Sequence, residues 1–248
     1  MGKIRLKEID TRAPKNFDKE KTKKDIADLL EKLDELQNLL YAESKHALLV
    51  IIQGMDASGK DGAIRNVFGK LNPQGVEVKS FKVPTAEEAA HDFLWRIHQH
   101  SPPKGIIQIF NRSQYEDILV TRVHKWIDNP TAKKRMEAIN NFEKLLESHN
   151  NTAVLKFYLH VSPEEQLQRL NERIQSPRKQ WKYNEEDFKE AKLWDTYMNM
   201  YEDCFENCSD VPWTIVPSDQ NWYKEYVIAS KVFETLENFN MKYPGLKK

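Results

Sequence analysis

Apolar residues first recur at helical spacing across 22–45, where Ile26, Leu29, Leu30, Leu33, Leu36, Leu39 and Leu40 form one stripe. A helix with such a stripe either packs on a core or pairs with another subunit. Beyond it, strand and helix patterns alternate. The apolar run 47–53 predicts a buried strand, followed by a helix over 59–71, a strand over 76–81, a helix over 86–100 and a strand over 105–111. A helix over 131–150 and a strand over 152–161 continue this rhythm, which is that of a parallel sheet. Ser162-Pro163-Glu164-Glu165 opens the next helix, with serine as N-cap, proline at the first helical position and Glu165 three residues after the cap. A further helix is predicted from near Asn184 past Tyr201. The basic and aromatic turn 176–183 between the two reads as a lid over phosphates. A short strand over 213–216 and a helix over 222–240 close the chain, and residues 1–21, charged and poorly patterned, predict an arm lying on the surface or on a partner.

The 248 residues suit one α/β domain with appendages. Lys plus Arg equal Asp plus Glu at 38 each, which argues against a uniform basic field and hence against duplex nucleic acid as a partner. Any anion site must therefore be built from clustered residues. No apolar run reaches membrane-spanning length, and the N-terminus lacks the apolar stretch of a secretory signal, so the expectation is a cytoplasmic protein with no membrane partner. Cys204 and Cys208, four apart on a predicted helix, are expected to be reduced structural thiols, and no neighbouring His or Cys completes a zinc set.

The chemistry concentrates where the first strand ends. Gly54-Met55-Asp56-Ala57-Ser58-Gly59-Lys60-Asp61-Gly62 is a glycine-rich turn leading into a helix, the arrangement that cradles phosphate with backbone N–H groups and a lysine. The usual nucleotide loop has a hydroxyl after the lysine, and here Asp61 takes its place. A carboxylate suits a hard cation but brings negative charge towards bound phosphate, so metal ions or basic groups must offset it. The strand ending at Asn111 runs into Arg112-Ser113-Gln114-Tyr115-Glu116-Asp117. In a parallel sheet these groups emerge beside the phosphate loop. Arg112 can hold a phosphoryl group by two hydrogen bonds, and Glu116 and Asp117 supply carboxylates for Mg²⁺ from a second strand.

Together with Leu71-Asn72-Pro73-Gln74-Gly75, Ser80-Phe81-Lys82-Val83-Pro84, Phe110-Asn111-Arg112-Ser113 and Gln180-Trp181-Lys182, the loop resembles the motif set of the polyphosphate kinase 2 family, in its one-domain, broad-acceptor form. The resemblance implies an α/β fold like that of thymidylate kinase: a P-loop kinase-like three-layer sandwich with a central parallel sheet, a helical lid insertion and an N-terminal helical extension. It divides the chain into an arm and amphipathic helix over 1–45 and a catalytic domain over 46–248, with the lid at about 165–208. It also implies reversible, Mg²⁺-dependent phosphoryl transfer between inorganic polyphosphate and nucleotides, with Mn²⁺ as an alternative ion. The nucleotides are AMP, ADP and ATP, with GMP, GDP and GTP as further candidates, and a homo-oligomer is expected. Carried over by position, Gly54, Ala57, Ser58, Gly59, Lys60, Gly62, Asn111, Arg112, Arg122, Arg173, Arg178 and Lys182 bind phosphates. Lys60, Arg112, Arg178 and Asp56 are catalytic, and Asp56, Asp61, Glu116 and Asp117 are metal candidates, the choice between the last two being open. Lys70, Lys79, Lys82 and Lys125 are candidates for a basic row along polyphosphate.

Two other classes fit parts of the pattern. An ATP-dependent nucleoside or nucleotide kinase shares the loop and lid but normally has Ser or Thr where Asp61 stands. A non-enzymatic binder of polyanions or single-stranded nucleic acid could use Trp181 as a stacking platform, but leaves Asp56, Asp61 and Glu116 unexplained.

Overall fold

In the computed structural model, which describes residues 4–246, the leucine stripe becomes α1 (Lys19–Glu43), capped by the Asp18 carboxylate, which accepts from the Lys21 N–H. Leu30, Leu33 and Leu40 are buried, so the stripe packs on the core of its own chain. Every residue of β1 (Ala47–Gln53) is buried, and α2 (Lys60–Phe68) follows after the glycine-rich turn. Next come β2 (Val76–Ser80), α3 (Ala86–Ala90), α4 (Trp95–His98) and β3 (Ile107–Asn111). Then α5 (Val120–Val123) and α6 (Asn129–Asn150) lead to β4 (Thr152–His160). The lid region holds α7 (Pro163–Gln175), α8 (Glu185–Ala191) and α9 (Trp194–Asn207), before β5 (Trp213–Pro217) and α10 (Asn221–Glu237).

The strands form one parallel sheet in the order β2-β3-β1-β4-β5. Helices cover both faces, as a parallel sheet requires. Leu49, Ile51, Phe110 and Tyr158 point into a cluster with residues of α6 and α9, whereas Leu48, Val50, Ile52 and Ile109 meet α1, α2 and α10. The result is three layers, with β1 between β3 and β4 at the point where the strand order reverses, which is where ligands gather in such sheets. Among the described residues no helix is long and apolar enough to cross a membrane.

Two predicted helices are each divided. The segment 86–100 breaks at His91, whose extended backbone ends α3 after a Thr85–Glu88 capping box, and the Asp92 carboxylate then accepts from the Leu94 N–H. The helix predicted from Asn184 past Tyr201 breaks at 192–193. The break lets α8, which buries nothing, stay with the lid while α9 buries Tyr197, Met198, Tyr201, Cys204 and Phe205 in the core. The N-terminal arm lies on the body: Leu6 is fully buried, its N–H donates to Glu202, and Thr11 donates to Asp219 at 2.7 Å. Cys204 and Cys208 are buried free thiols.

Behind the sheet's edge a charged pair is fully enclosed. Lys156 Nζ on β4 donates to Glu143 of α6 at 2.7 Å, to the Tyr115 hydroxyl at 2.8 Å and to the Cys208 carbonyl at 2.9 Å. Glu143 also accepts from Tyr115 and Gln114. The network thus ties the turn after β3 to β4 and α6. Lys156→Met strands a buried carboxylate and is expected to cost about 3–5 kcal/mol, read from the denaturant midpoint at constant m-value. A loss below about 1 kcal/mol would mean the pair behaves like a surface ion pair.

Candidate active site

Between β1 and α2 the backbone turns sharply. Gly54 has φ 153°, and a Cβ there would lie 2.8 Å from Ser58 Oγ and 3.0 Å from the Leu159 carbonyl, so only glycine fits. Ala57 adopts the left-handed region at φ 61°, Gly59 does so at φ 95°, and Gly59 caps α2 without a side chain. The helix therefore begins with N–H groups that no side chain occupies, facing an anion site by geometry and dipole. Gly62 lies in the first turn with open space where a Cβ would stand. The Ser58 hydroxyl is buried and makes no protein hydrogen bond.

Lys60 curls over this turn, donating to the carbonyls of Gly54 at 2.6 Å and Met55 at 3.0 Å. Burial, reinforced by the Arg112 charge, pushes its ammonium down to about 8, although Asp56, Glu116 and Asp61 pull the other way. Arg112 stands at the end of β3 with φ 62°, an unusual backbone for a residue with a Cβ. From there one guanidinium nitrogen meets Asp56 and the other meets Glu116 at 3.1 Å. Glu116 first, then Asp56, outweigh burial and hold the guanidinium protonated. Burial raises the Asp56 carboxyl, but Arg112 and Lys60 more than reverse this and keep it below the usual carboxylate range.

Asp61 joins the two halves of the site. It accepts from Asn111 Nδ2 at 2.9 Å and from Lys182 Nζ of the lid at 2.6 Å. Those bonds hold its carboxyl below its ordinary value against the opposing effect of burial. Within the lid Arg173 pairs with Asp187 and donates to the Lys182 carbonyl, and Lys179 pairs with Glu172. Arg178 is exposed, and among the described residues its guanidinium has no ion-pair partner. Trp181 is exposed, its indole N–H donating to the Arg178 carbonyl.

Two expected site residues point elsewhere. Asp117 is held by Arg96 at 3.1 Å, behind the turn, with burial pushing its carboxyl up, so of the open pair only Glu116 belongs to the cluster. Arg122 pairs with Asp203 at 2.5 Å and donates to the Ile118 carbonyl at 2.9 Å, rather than meeting the glycine-rich turn. Of the basic row, Lys79 lies over the Phe81 ring, while Lys70, Lys82 and Lys125 are exposed. Gln166, Arg169 and Lys224 contact the glycine-rich turn directly, and no motif marked them. The signal available in the sequence was the spacing of 166, 169 and 173, one face of a helix.

The residues present fit a hard divalent ion only in company. Asp56, Asp61 and Glu116 offer carboxylate oxygens, yet among the described residues no three His, Cys, Asp or Glu side chains converge to hold a cation. Mg²⁺ is ordinarily held in this way, by one or two carboxylates with the phosphate supplying the rest.

The model of the polyphosphate kinase 2 family matches residues 16–244. An AMP/ADP-polyphosphate phosphotransferase of Meiothermus ruber is 44% identical over 247 residues, 98% of this chain and 92% of that protein. An ADP-polyphosphate phosphotransferase of Rhodopseudomonas palustris is 43% identical, covering 87% of this chain and 79% of its own. The crystal structure of polyphosphate kinase 2 from Arthrobacter aurescens superposes with a TM-score of 0.96 at 37% identity, over all of this chain and 90% of the other.

The ammonium of Lys60 gives a pH expectation with opposite signs for binding and stability. Tripolyphosphate affinity should fall as pH rises through about 8, where Lys60 and Lys224, each pushed down to about 8 by burial, lose their charge. Between there and the ordinary lysine value of 10.5 the unfolded chain holds more protons, so these two groups make the fold more stable as pH rises. Calorimetric titration from pH 7 to 9.5 checks the first and thermal unfolding the second. An affinity flat across that range would contradict the assignment of a charged Lys60 to anion binding.

Proposed function

The chain belongs to the polyphosphate kinase 2 family, and from that premise we propose that it transfers a phosphoryl group reversibly between inorganic polyphosphate and nucleoside mono- and diphosphates. The observation that carries this reading is the convergence of Lys60, Arg112 and the lid's Lys182 on one acidic edge of the sheet, with Asp56, Asp61 and Glu116 between them. A conventional nucleotide loop has no use for a carboxylate after its lysine. Here that carboxylate is bonded to both Asn111 and the lid. Relatives named for AMP and ADP together, and for ADP, support adenine nucleotides at both phosphorylation levels as acceptors.

In phosphoryl transfer the protein positions the reactants in line and neutralises the charge on the moving group. The N–H groups at the start of α2 and the Lys60 ammonium hold the oxygens of the transferring phosphate. Arg112, anchored by two carboxylates, presents a guanidinium of fixed orientation to the same group. Arg178, an exposed cation at the lid's turn with no carboxylate partner among the described residues, adds positive charge as the lid closes. Asp56, Asp61 and Glu116 are the residues that would hold Mg²⁺ together with phosphate oxygens, and that ion would supply charge neutralisation between the two substrates.

Incubation with polyphosphate, Mg²⁺ and AMP or ADP, read by chromatography, tests the reading. Phosphorylated nucleotide should form only with polyphosphate present, and a protein that accepts ATP alone as donor would overturn it. Lys60→Ala should lower turnover about a hundredfold or more, roughly 3 kcal/mol of lost transition-state stabilisation, with the fold intact by circular dichroism. Asp61→Asn should raise the Mg²⁺ concentration needed for half-maximal rate. An unchanged Mg²⁺ dependence with lowered thermal stability would make Asp61 a structural tie between loop and lid.

A further inference from the structure

The carbonyl oxygens of the glycine-rich turn are accounted for one by one. Gly54 and Met55 accept from Lys60, and Met55 also accepts from the Ser58 N–H at 3.1 Å. Asp56 accepts from Gln166 Nε2 at 2.9 Å, and Ala57 and Ser58 both accept from Arg169 Nη1 at 3.1 Å. Gly59 accepts from the N–H of Ala63 within α2 and, at 3.3 Å, from Lys224 Nζ. The second guanidinium nitrogen of Arg169 donates to the carbonyls of Ser218 at 2.8 Å and Asp219 at 3.0 Å, and its Nε meets Glu165 at 2.8 Å. Lys224 is fully buried in α10, its other bond going to Asn221 Oδ1 at 2.8 Å, and no carboxylate lies within ion-pair distance among the described residues. Its ammonium fills the space that a side chain at Gly59 would need.

A trans peptide is planar, with N–H and C=O pointing in opposite directions. Fixing the carbonyls of 56–59 therefore fixes the N–H groups of 57–60; that of Ser58 closes the turn on the Met55 carbonyl, and drawing the carbonyls towards α7 and α10 turns the N–H groups of 57, 59 and 60 away from both helices. We infer that Arg169 and Lys224 are positioning residues for the transfer: together with Gln166 they hold the turn's peptide planes so that the N–H groups of 57, 59 and 60 face the phosphate before it arrives. This inference rests on the phosphate-loop reading of residues 54–62 given above. Two cations are needed because the turn's left-handed residues give it no ladder to lock it, and a guanidinium can serve the turn and the loop after β5 at once, which an ammonium cannot.

The test compares wild type with Arg169→Lys and Lys224→Gln, using hydrogen exchange of residues 54–60 with and without tripolyphosphate, together with steady-state kinetics. In wild type, tripolyphosphate should slow exchange of the amides of 57, 59 and 60. In each variant that protection should be lost while exchange across β1 stays unchanged, and kcat should fall on the order of tenfold or more with little change in the KM for nucleotide. Wild-type protection and kcat in both variants would overturn the inference. So would an exchange rate that rises equally in the turn and in β1, since that marks general destabilisation. If wild-type protein shows the protection but makes no phosphorylated nucleotide from polyphosphate, the proposed function fails while the exchange comparison still decides the role of Arg169 and Lys224.

Discussion

The parallel pairing of β1 with β3 sets Ile52 beside Asn111, so two acidic turns open at the same edge of the sheet, and the Arg112 guanidinium between Asp56 and Glu116 is the interaction that makes this tenable. Two carboxylates facing one another in a partly buried site repel, by up to several kcal/mol at close range. One guanidinium contacting both converts that repulsion into two charge-assisted bonds. The strained backbone at Arg112 is what lets its side chain turn back over the edge instead of continuing along the strand. From behind, the buried Lys156–Glu143 pair fixes Tyr115 and Gln114, three and two residues past Arg112, to β4 and α6. The position of Arg112 is thus set by polar bonds on both sides of the turn.

A chain with no net charge can bind a polyanion if its cations are already paired with carboxylates that the ligand, or a metal arriving with it, replaces. Arg112 is shared between Asp56 and Glu116, Lys182 rests on Asp61, and Lys179 rests on Glu172. A polyanion must compete with these carboxylates, which lowers affinity but also spares the protein from holding several uncompensated cations close together. The cost is smallest where a cation is paired with backbone rather than with a carboxylate, as at Lys60 and Lys224. Burial lowers the charge stability of those two ammonium groups instead, so they gain most from an approaching anion.

What the sequence made legible was local. The run 47–53, the glycine-rich turn, and the Ser162 cap with Pro163 behind it each declare their structure within a few residues, and each forms as expected. The helix breaks at His91 and at 192–193 carry no proline or glycine; they separate α3 and α8, which bury no residue, from α4 and α9, which do, a tertiary demand invisible in periodicity. Asp117 stands next to Glu116 in sequence, yet in the short turn Gln114–Asp117 adjacent side chains face apart, so one meets Arg112 and the other Arg96. Arg169 and Lys224 escaped notice because their targets are backbone carbonyls more than a hundred residues away, which no spacing rule within a motif can reveal.

The same helix that roots the lid also holds the turn. On α7, Gln166, Arg169 and Arg173 fall at intervals of three and four and so share one face. The first two grip the carbonyls of 56–58, and the third grips Asp187 at the start of α8. Because a helix of this length is stiff, a displacement of the lid at Arg173 reaches the turn through Arg169 rather than dissipating in a loop. The contact from Lys182 back to Asp61 closes the circuit, since it joins the far side of the lid to the first turn of α2. A substitution on this face of α7 therefore acts at once on the lid contact to Asp187 and on the carbonyls of the glycine-rich turn.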